Sequence, residues 1–133
     1  MALLDGIVPP RGDLPGAGGL DLQGAVMADA RGSGREEDLH AILGELPEGI
    51  GSMSPLERDA CLRAVAERAP VQFASVVNMV YTAYYTDPRV LHALEQRTGY
   101  QASPPQPNGY RLASFDDQLL ERARQRAPMW RRA

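Results

Sequence analysis

Residues 71–85 run for fifteen positions without a glycine or a proline and form the most apolar stretch of the chain. Phe73, Val76, Val77, Val80, Tyr81 and Tyr84 follow the spacing i, i+3, i+4, i+7, i+8, i+11. That spacing lines one face of a helix. The β-branched pair Val76-Val77 would suit a strand, but length selects the helix, because a strand of this length without a turn signal is uncommon. Met79 and Ala83 make the opposite side apolar too. A helix apolar all round has to be enclosed by others. The chain is therefore expected to be all-α, with this helix at its centre.

The flanking segments supply the enclosing helices. Leu3, Leu4, Ile7 and Val8 sit at helical spacing, so a short first helix is expected to end before Pro9. A second helix is expected over 20–30, with Leu22, Val26 and Met27 on one side and Arg31-Gly32-Ser33-Gly34 as its break. A third is expected over about 35–46, with an acidic first turn that suits the helix dipole and an apolar stripe of Leu39, Ile42, Leu43 and Leu46. Ser54, Pro55 and Glu57 spell a capping box with proline at the first helical position. Leu56, Ala60, Cys61, Ala64 and Val65 are expected to share the inner face of that helix. Asp87-Pro88 caps and starts another helix, over about 88–97, with Val90, Leu91 and Leu94 inward. A last helix is expected from Ser114, with Phe115, Leu119, Leu120 and Ala123 inward.

These segments make a single small helical domain of about six helices over 1–133. Thirteen Gly and 11 Pro cluster around them rather than within them. Residues 1–19 read as an irregular Pro/Gly-rich segment in which Gly18-Gly19 is a flexible stop. Residues 99–113 read as a Pro-rich loop, and 127–133 as an Arg/Trp tail. An apolar fraction of 44% in 133 residues is enough for one core.

Charge and composition narrow the function. The net charge of −3 argues against nucleic-acid binding. Residues 1–69 carry 6 Arg against 12 acids, a net of −6, and residues 70–133 carry 8 Arg against 5 acids, a net of +3. Every basic residue is Arg, a planar donor suited to interfaces. No stretch reaches the roughly 18 apolar residues of a membrane span. Met1 leads into Ala-Leu-Leu-Asp-Gly without a basic region, so no signal peptide and a cytoplasmic location are expected. On the same ground, Arg11-Gly12-Asp13 is read as a chance match to a cell-adhesion tripeptide.

Catalytic chemistry finds little foothold. His40 and His92 are the only histidines, and neither has a second ligand at metal spacing. Gly16-Ala17-Gly18-Gly19 lacks the preceding strand and the Lys-Ser/Thr ending of a phosphate loop. Cys61, the only cysteine, lies in a helical pattern and reads as a small buried apolar residue. No catalytic residue, metal ligand or bound cofactor is assigned to this chain.

Three features exceed what a self-contained helical domain needs. Tyr81, Tyr84 and Tyr85 gather at the end of the central helix, ahead of Asp87-Pro88, and adjacent tyrosines cannot both enter one core. The loop containing Pro105, Pro107 and Tyr110 is long for a connector. Trp130 and Arg131 belong to the two residue types most enriched at interface hot spots. These residues are the expected partner-binding set.

The same residues carry a family resemblance. Leu3-Leu4-Asp5-Gly6-Ile7-Val8-Pro9 followed by Leu14-Pro15-Gly16-Ala17 resembles the opening of the gluconate 2-dehydrogenase subunit 3 family. The run from Phe73 that ends in Tyr84-Tyr85-Thr86-Asp87-Pro88 is similar to that family's helix with its aromatic-aromatic-x-Asp-Pro ending. Arg89-Val90-Leu91 stands where the family often has Gly-Gly-Asn, and the family's common twin-arginine signal is not seen. The resemblance implies a small helical accessory subunit of a flavin-dependent dehydrogenase of the glucose-methanol-choline type. FAD would then sit in a larger partner subunit that oxidises a sugar or alcohol, in a hetero-oligomer; the charge and hydropathy above and the departures from the family pattern lead us to expect neither nucleic acid nor membrane as a partner. The alternatives are a free-standing helical adaptor and, further off, a small enzyme using Cys61 or a histidine.

Overall fold

The structure, a computed structural model, describes residues 2–99 and 116–125. The chain packs as two compact units, residues 1–102 and residues 103–133, where the sequence reading takes one span. All regular elements among the described residues are helical, and the fold is all-α as expected. The β pairing among them is an isolated bridge between Arg11 and Leu14.

In the first unit, six α-helices follow one another: α1 (Ala2–Ile7), α2 (Gln23–Gly32), α3 (Glu36–Glu45), α4 (Pro55–Arg68), α5 (Pro70–Tyr85) and α6 (Pro88–Thr98). Two short 3-10 turns, Ala17–Leu20 and Ile50–Ser52, join them. The starts are written locally. Ser54 Oγ accepts the Glu57 amide while the Glu57 carboxylate accepts the Ser54 amide, closing the capping box. The Ser54 hydroxyl and amide on that carboxylate hold it below the ordinary glutamate range. Prolines 55, 70 and 88 occupy first helical positions, where no amide hydrogen is needed.

α5 is the axle. It touches α1, α2, α3, α4 and α6, and it buries Val76, Met79, Val80, Ala83 and Tyr84. Around it close Leu3 and Leu4 of α1, Val26 and Ala30 of α2, Leu39 and Ile42 of α3, Leu62 and Val65 of α4, and Val90 of α6. Arg35 ties three helices at their edges: it donates to Asp29 (3.1 Å), Ser33 (2.7 Å) and Asn78 (3.1 Å).

Two inner faces differ from the sequence reading. On α4 the buried residues are Leu62 and Val65, whereas Leu56 is 79% exposed, Ala60 is exposed, and Cys61 and Ala64 are half-buried. The cause is Gly6. Leu62 lies in the space a Cβ on Gly6 would take, so the helix turns Leu62, rather than the equally large Leu56, to that notch. On α3 Leu39 and Ile42 are buried, but Leu43 is 46% exposed.

The segment before α2 is not a flexible stop. It is a strap of residues 8–20 bonded to α1, α5 and α6 through Gly18, Pro15 and Leu20. The Asp5 carboxylate accepts the Gly18 amide at 2.8 Å, and the Ala17 amide donates to the Val8 carbonyl at 2.9 Å. A Cβ on Gly16 would meet Asp5 at 2.5 Å and Pro10 at 2.8 Å, and one on Gly18 would collide with the same carboxylate. Leu20 and Leu22 are buried before α2 begins, so α2 starts at Gln23 and not at Leu20.

In the second unit the described helix is α7 (Gln118–Arg124). The Asp116 carboxylate accepts the Gln118 amide at 3.0 Å, which sets the start. Leu120, expected to face inward, is exposed. Ser114, Phe115 and the side chains of Leu119 and Ala123 lie outside the described residues.

Candidate functional site

The helix end at Tyr81–Asp87 separates into two sets of side chains with opposite roles. Tyr84 is 2% exposed, and its hydroxyl donates to the Pro15 carbonyl at 2.8 Å, pinning the strap to α5. Burial, and behind it the neighbouring Tyr85, pushes the Tyr84 phenol above its ordinary range, which keeps it a donor. Asp87 is the N-cap of α6 and accepts the Arg89 amide at 2.9 Å. The Arg89 guanidinium pairs with Asp87 at 2.7 Å and also donates to the Leu20 carbonyl at 2.7 Å. Of the expected binding set, Tyr84 is buried and Asp87 is engaged within the fold, while Pro88 is exposed at the first position of α6.

Tyr81 and Tyr85 are different. They lie one turn apart on α5, 45% and 52% exposed, with ring centroids 6.1 Å apart and planes at 67°. Tyr85 also meets Tyr84 edge-on at 5.1 Å. Edge-to-face contact favours this arrangement of the rings. Neither hydroxyl has a partner among the described residues.

Two open clefts adjoin this pair. One of about 310 Å³ lies between α1, α4 and α5, lined by Ile7, Leu62, Ala66, Phe73, Val77 and Tyr81 together with the charged Asp59 and Arg63. The other, about 360 Å³, lies between the strap and the end of α5, and it includes Val8, Pro9, Pro10, Arg11, Leu14 and Tyr85. They share Ile7 and Tyr81 as a common wall. Phe73, Val77 and Tyr81 belong to the apolar stripe of α5 read from the sequence; Phe73 and Val77 are half-buried, with Phe73 packed against the core, and all three also line the first cleft. The sequence signal was the width of the stripe, which exceeds what one core face needs. Arg11 carried no such signal.

Pro105, Pro107, Tyr110, Trp130 and Arg131 lie outside the described residues. Among the described residues no group of three or more His, Cys, Asp or Glu side chains could hold a metal ion, and no helix is long and apolar enough to cross a membrane. Cys61 is half-buried on α4. Cys61→Ala is expected to fold and bind as the parent chain does, with a melting temperature changed by no more than a few degrees, since surface-side substitutions stay within about 0.5 kcal/mol. A variant that folds but loses partner binding would assign Cys61 a role.

The Asp87 cap makes a pH-dependent prediction. The Arg89 side chain bonded to its carboxyl holds it below the ordinary aspartate range, against partial burial, which pushes it up. A carboxyl so depressed stabilises the fold above its unfolded value of about 3.9, and that stability is lost as pH falls through the lower folded value. Asn caps a helix about as well as Asp but does not titrate. Thermal melts between pH about 5 and pH about 2 should therefore show the parent losing more stability than Asp87→Asn. Equal losses would remove Asp87 from the acid response.

No protein-family model, no curated protein and no solved structure matches the chain.

Proposed function

We propose that this chain is a non-catalytic small subunit that binds and stabilises a larger FAD-dependent sugar or alcohol oxidoreductase. The observation that carries the binding part is the exposed, mutually braced Tyr81–Tyr85 pair beside two open clefts. Aromatic side chains half in water on rigid helical backbone are typical anchors for a protein surface, since they offer large contact area at small entropic cost. The flavoprotein identity of the partner is supported by the resemblance of residues 3–9, 14–17 and 73–88, and by nothing else in the molecule.

The test is co-purification. The full chain, tagged and expressed with the genes that neighbour its own, should bring down a larger yellow subunit whose absorbance is that of bound flavin. The larger subunit made alone should melt lower than the complex, because binding to the folded state adds stability. A stable, colourless chain recovered alone from cells that also make the flavoprotein would overturn the reading in favour of a free-standing adaptor.

A further inference from the structure

We propose that the cleft between the strap and the end of α5 docks an internal segment of the partner protein that presents an apolar side chain next to an aspartate or glutamate. This rests on the partner-binding reading above. The argument is charge complementarity. The cleft wall is apolar or aromatic except for one charged residue, Arg11. Arg11 is exposed at the base of a tight turn, where it bridges to Leu14, with Gly12 at the tip in the left-handed region at φ 65°. Asp13, two residues on, is held by Arg97 at 3.8 Å.

Arg11 differs from the other arginines. Among those whose side chains are described, all except Arg11 and Arg58 pair with a carboxylate. Arg58 donates to the Met53 carbonyl. Arg11 has no side-chain partner among the described residues, and the nearby hydroxyls of Tyr81 and Tyr85 have none either. A guanidinium and two phenols, all in the lining of one cleft, thus have donors without a protein acceptor among the described residues. A carboxylate is the acceptor that satisfies this set. A basic segment would be repelled by Arg11, and a proline-rich one would use the rings but leave the guanidinium idle.

The experiment pans a library of random twelve-residue peptides, displayed as internal fusions on phage, against the immobilised full chain. Binders to an Arg11→Glu, Tyr85→Ala variant are subtracted. The expected consensus has an aromatic or aliphatic residue within two positions of Asp or Glu. A synthetic consensus peptide blocked at both ends should bind the parent chain. It should lose about threefold in affinity on Arg11→Gln and about tenfold on Arg11→Glu, since reversal adds repulsion to the lost attraction. Replacing its acid by Gln or Asn should cost what Arg11→Gln costs. Arg11 is exposed, so circular dichroism of both variants should match the parent; if Arg11→Glu perturbs the fold, Arg11→Gln alone decides. Proline-rich or basic consensus sequences, dependence on a free peptide C-terminus, binding indifferent to Arg11→Gln, or no enrichment would each overturn the proposal. Recovery of an acidic consensus without a flavoprotein in the co-purification would leave the docking point standing and remove the accessory-subunit reading. A flavoprotein complex unmoved by either Arg11 variant would do the reverse.

Discussion

Tyr84→Ala is expected to destabilise the first unit by about 3–5 kcal/mol, and Tyr84→Phe by about 1 kcal/mol. The alanine variant removes a 2%-exposed aromatic ring from the end of α5 and leaves a cavity beneath the strap. The phenylalanine variant keeps the ring and deletes only the bond to the Pro15 carbonyl. Pro15 is half-buried, so water can take over part of that bond, and the cost falls at the low end of the range for an unsatisfied group. Against a total stability of about 5–15 kcal/mol, the alanine variant should unfold in markedly less denaturant. Hydrogen exchange separates the two effects further. The strap amides of Ala17 and Gly18 should exchange faster in Tyr84→Phe, while the amides of α5 keep their protection, because only the strap has lost an anchor. A strap that stays protected in Tyr84→Phe would mean that the Asp5–Gly18 and Arg89–Leu20 bonds hold it unaided.

This prediction also marks where the sequence stops being readable. Helix starts were legible because the groups that satisfy them are neighbours in the chain: Ser54 with Glu57, and Asp87 with the Arg89 amide. The apolar period of α5 was legible for the same reason. The strap was not. Residues 16–19 look like a flexible glycine run because what they pack against is Asp5, and what holds Pro15 is a tyrosine 69 positions away. Glycine at 16 and 18 marks a close approach of backbone to the half-buried Asp5 carboxylate, a use that in sequence is indistinguishable from flexibility. The rotation of α4 was hidden likewise, because periodicity allows several faces and only the notch at Gly6 selects the one bearing Leu62.

Within the tyrosine cluster, sequence alone could say that not all three rings share one core, but not which ring goes inside. Position around α5 decides it: Tyr84 falls in line with Val76 and Val80, while Tyr81 and Tyr85 fall on the side of Phe73 and Val77 or beyond it. One expected binding residue thereby became a structural pin, and two remained at the surface.

For that surface pair, Tyr81→Ala with Tyr85→Ala is expected to weaken assembly with the partner by about 2 kcal/mol or more, a loss of roughly thirtyfold in affinity, if the rings act as hot spots. The free chain should be little affected, because each ring is already about half in water and its removal opens no enclosed cavity. The Tyr85 ring braces the others edge-on at 6.1 and 5.1 Å, so the single variants should not add to the double. Losing either ring frees its neighbour to rotate, and the partner then bears the entropy of fixing it again. Titration of the partner with the two single variants and the double variant measures the coupling directly. Tyr84→Phe belongs in the same series as the contrast: it should lower the melting temperature of the free chain yet leave affinity close to the parent value at temperatures where it is folded. If the double variant binds normally, the clefts beside α5 are not the contact surface. If it melts with the losses expected of Tyr84→Ala, the exposed rings are part of the core.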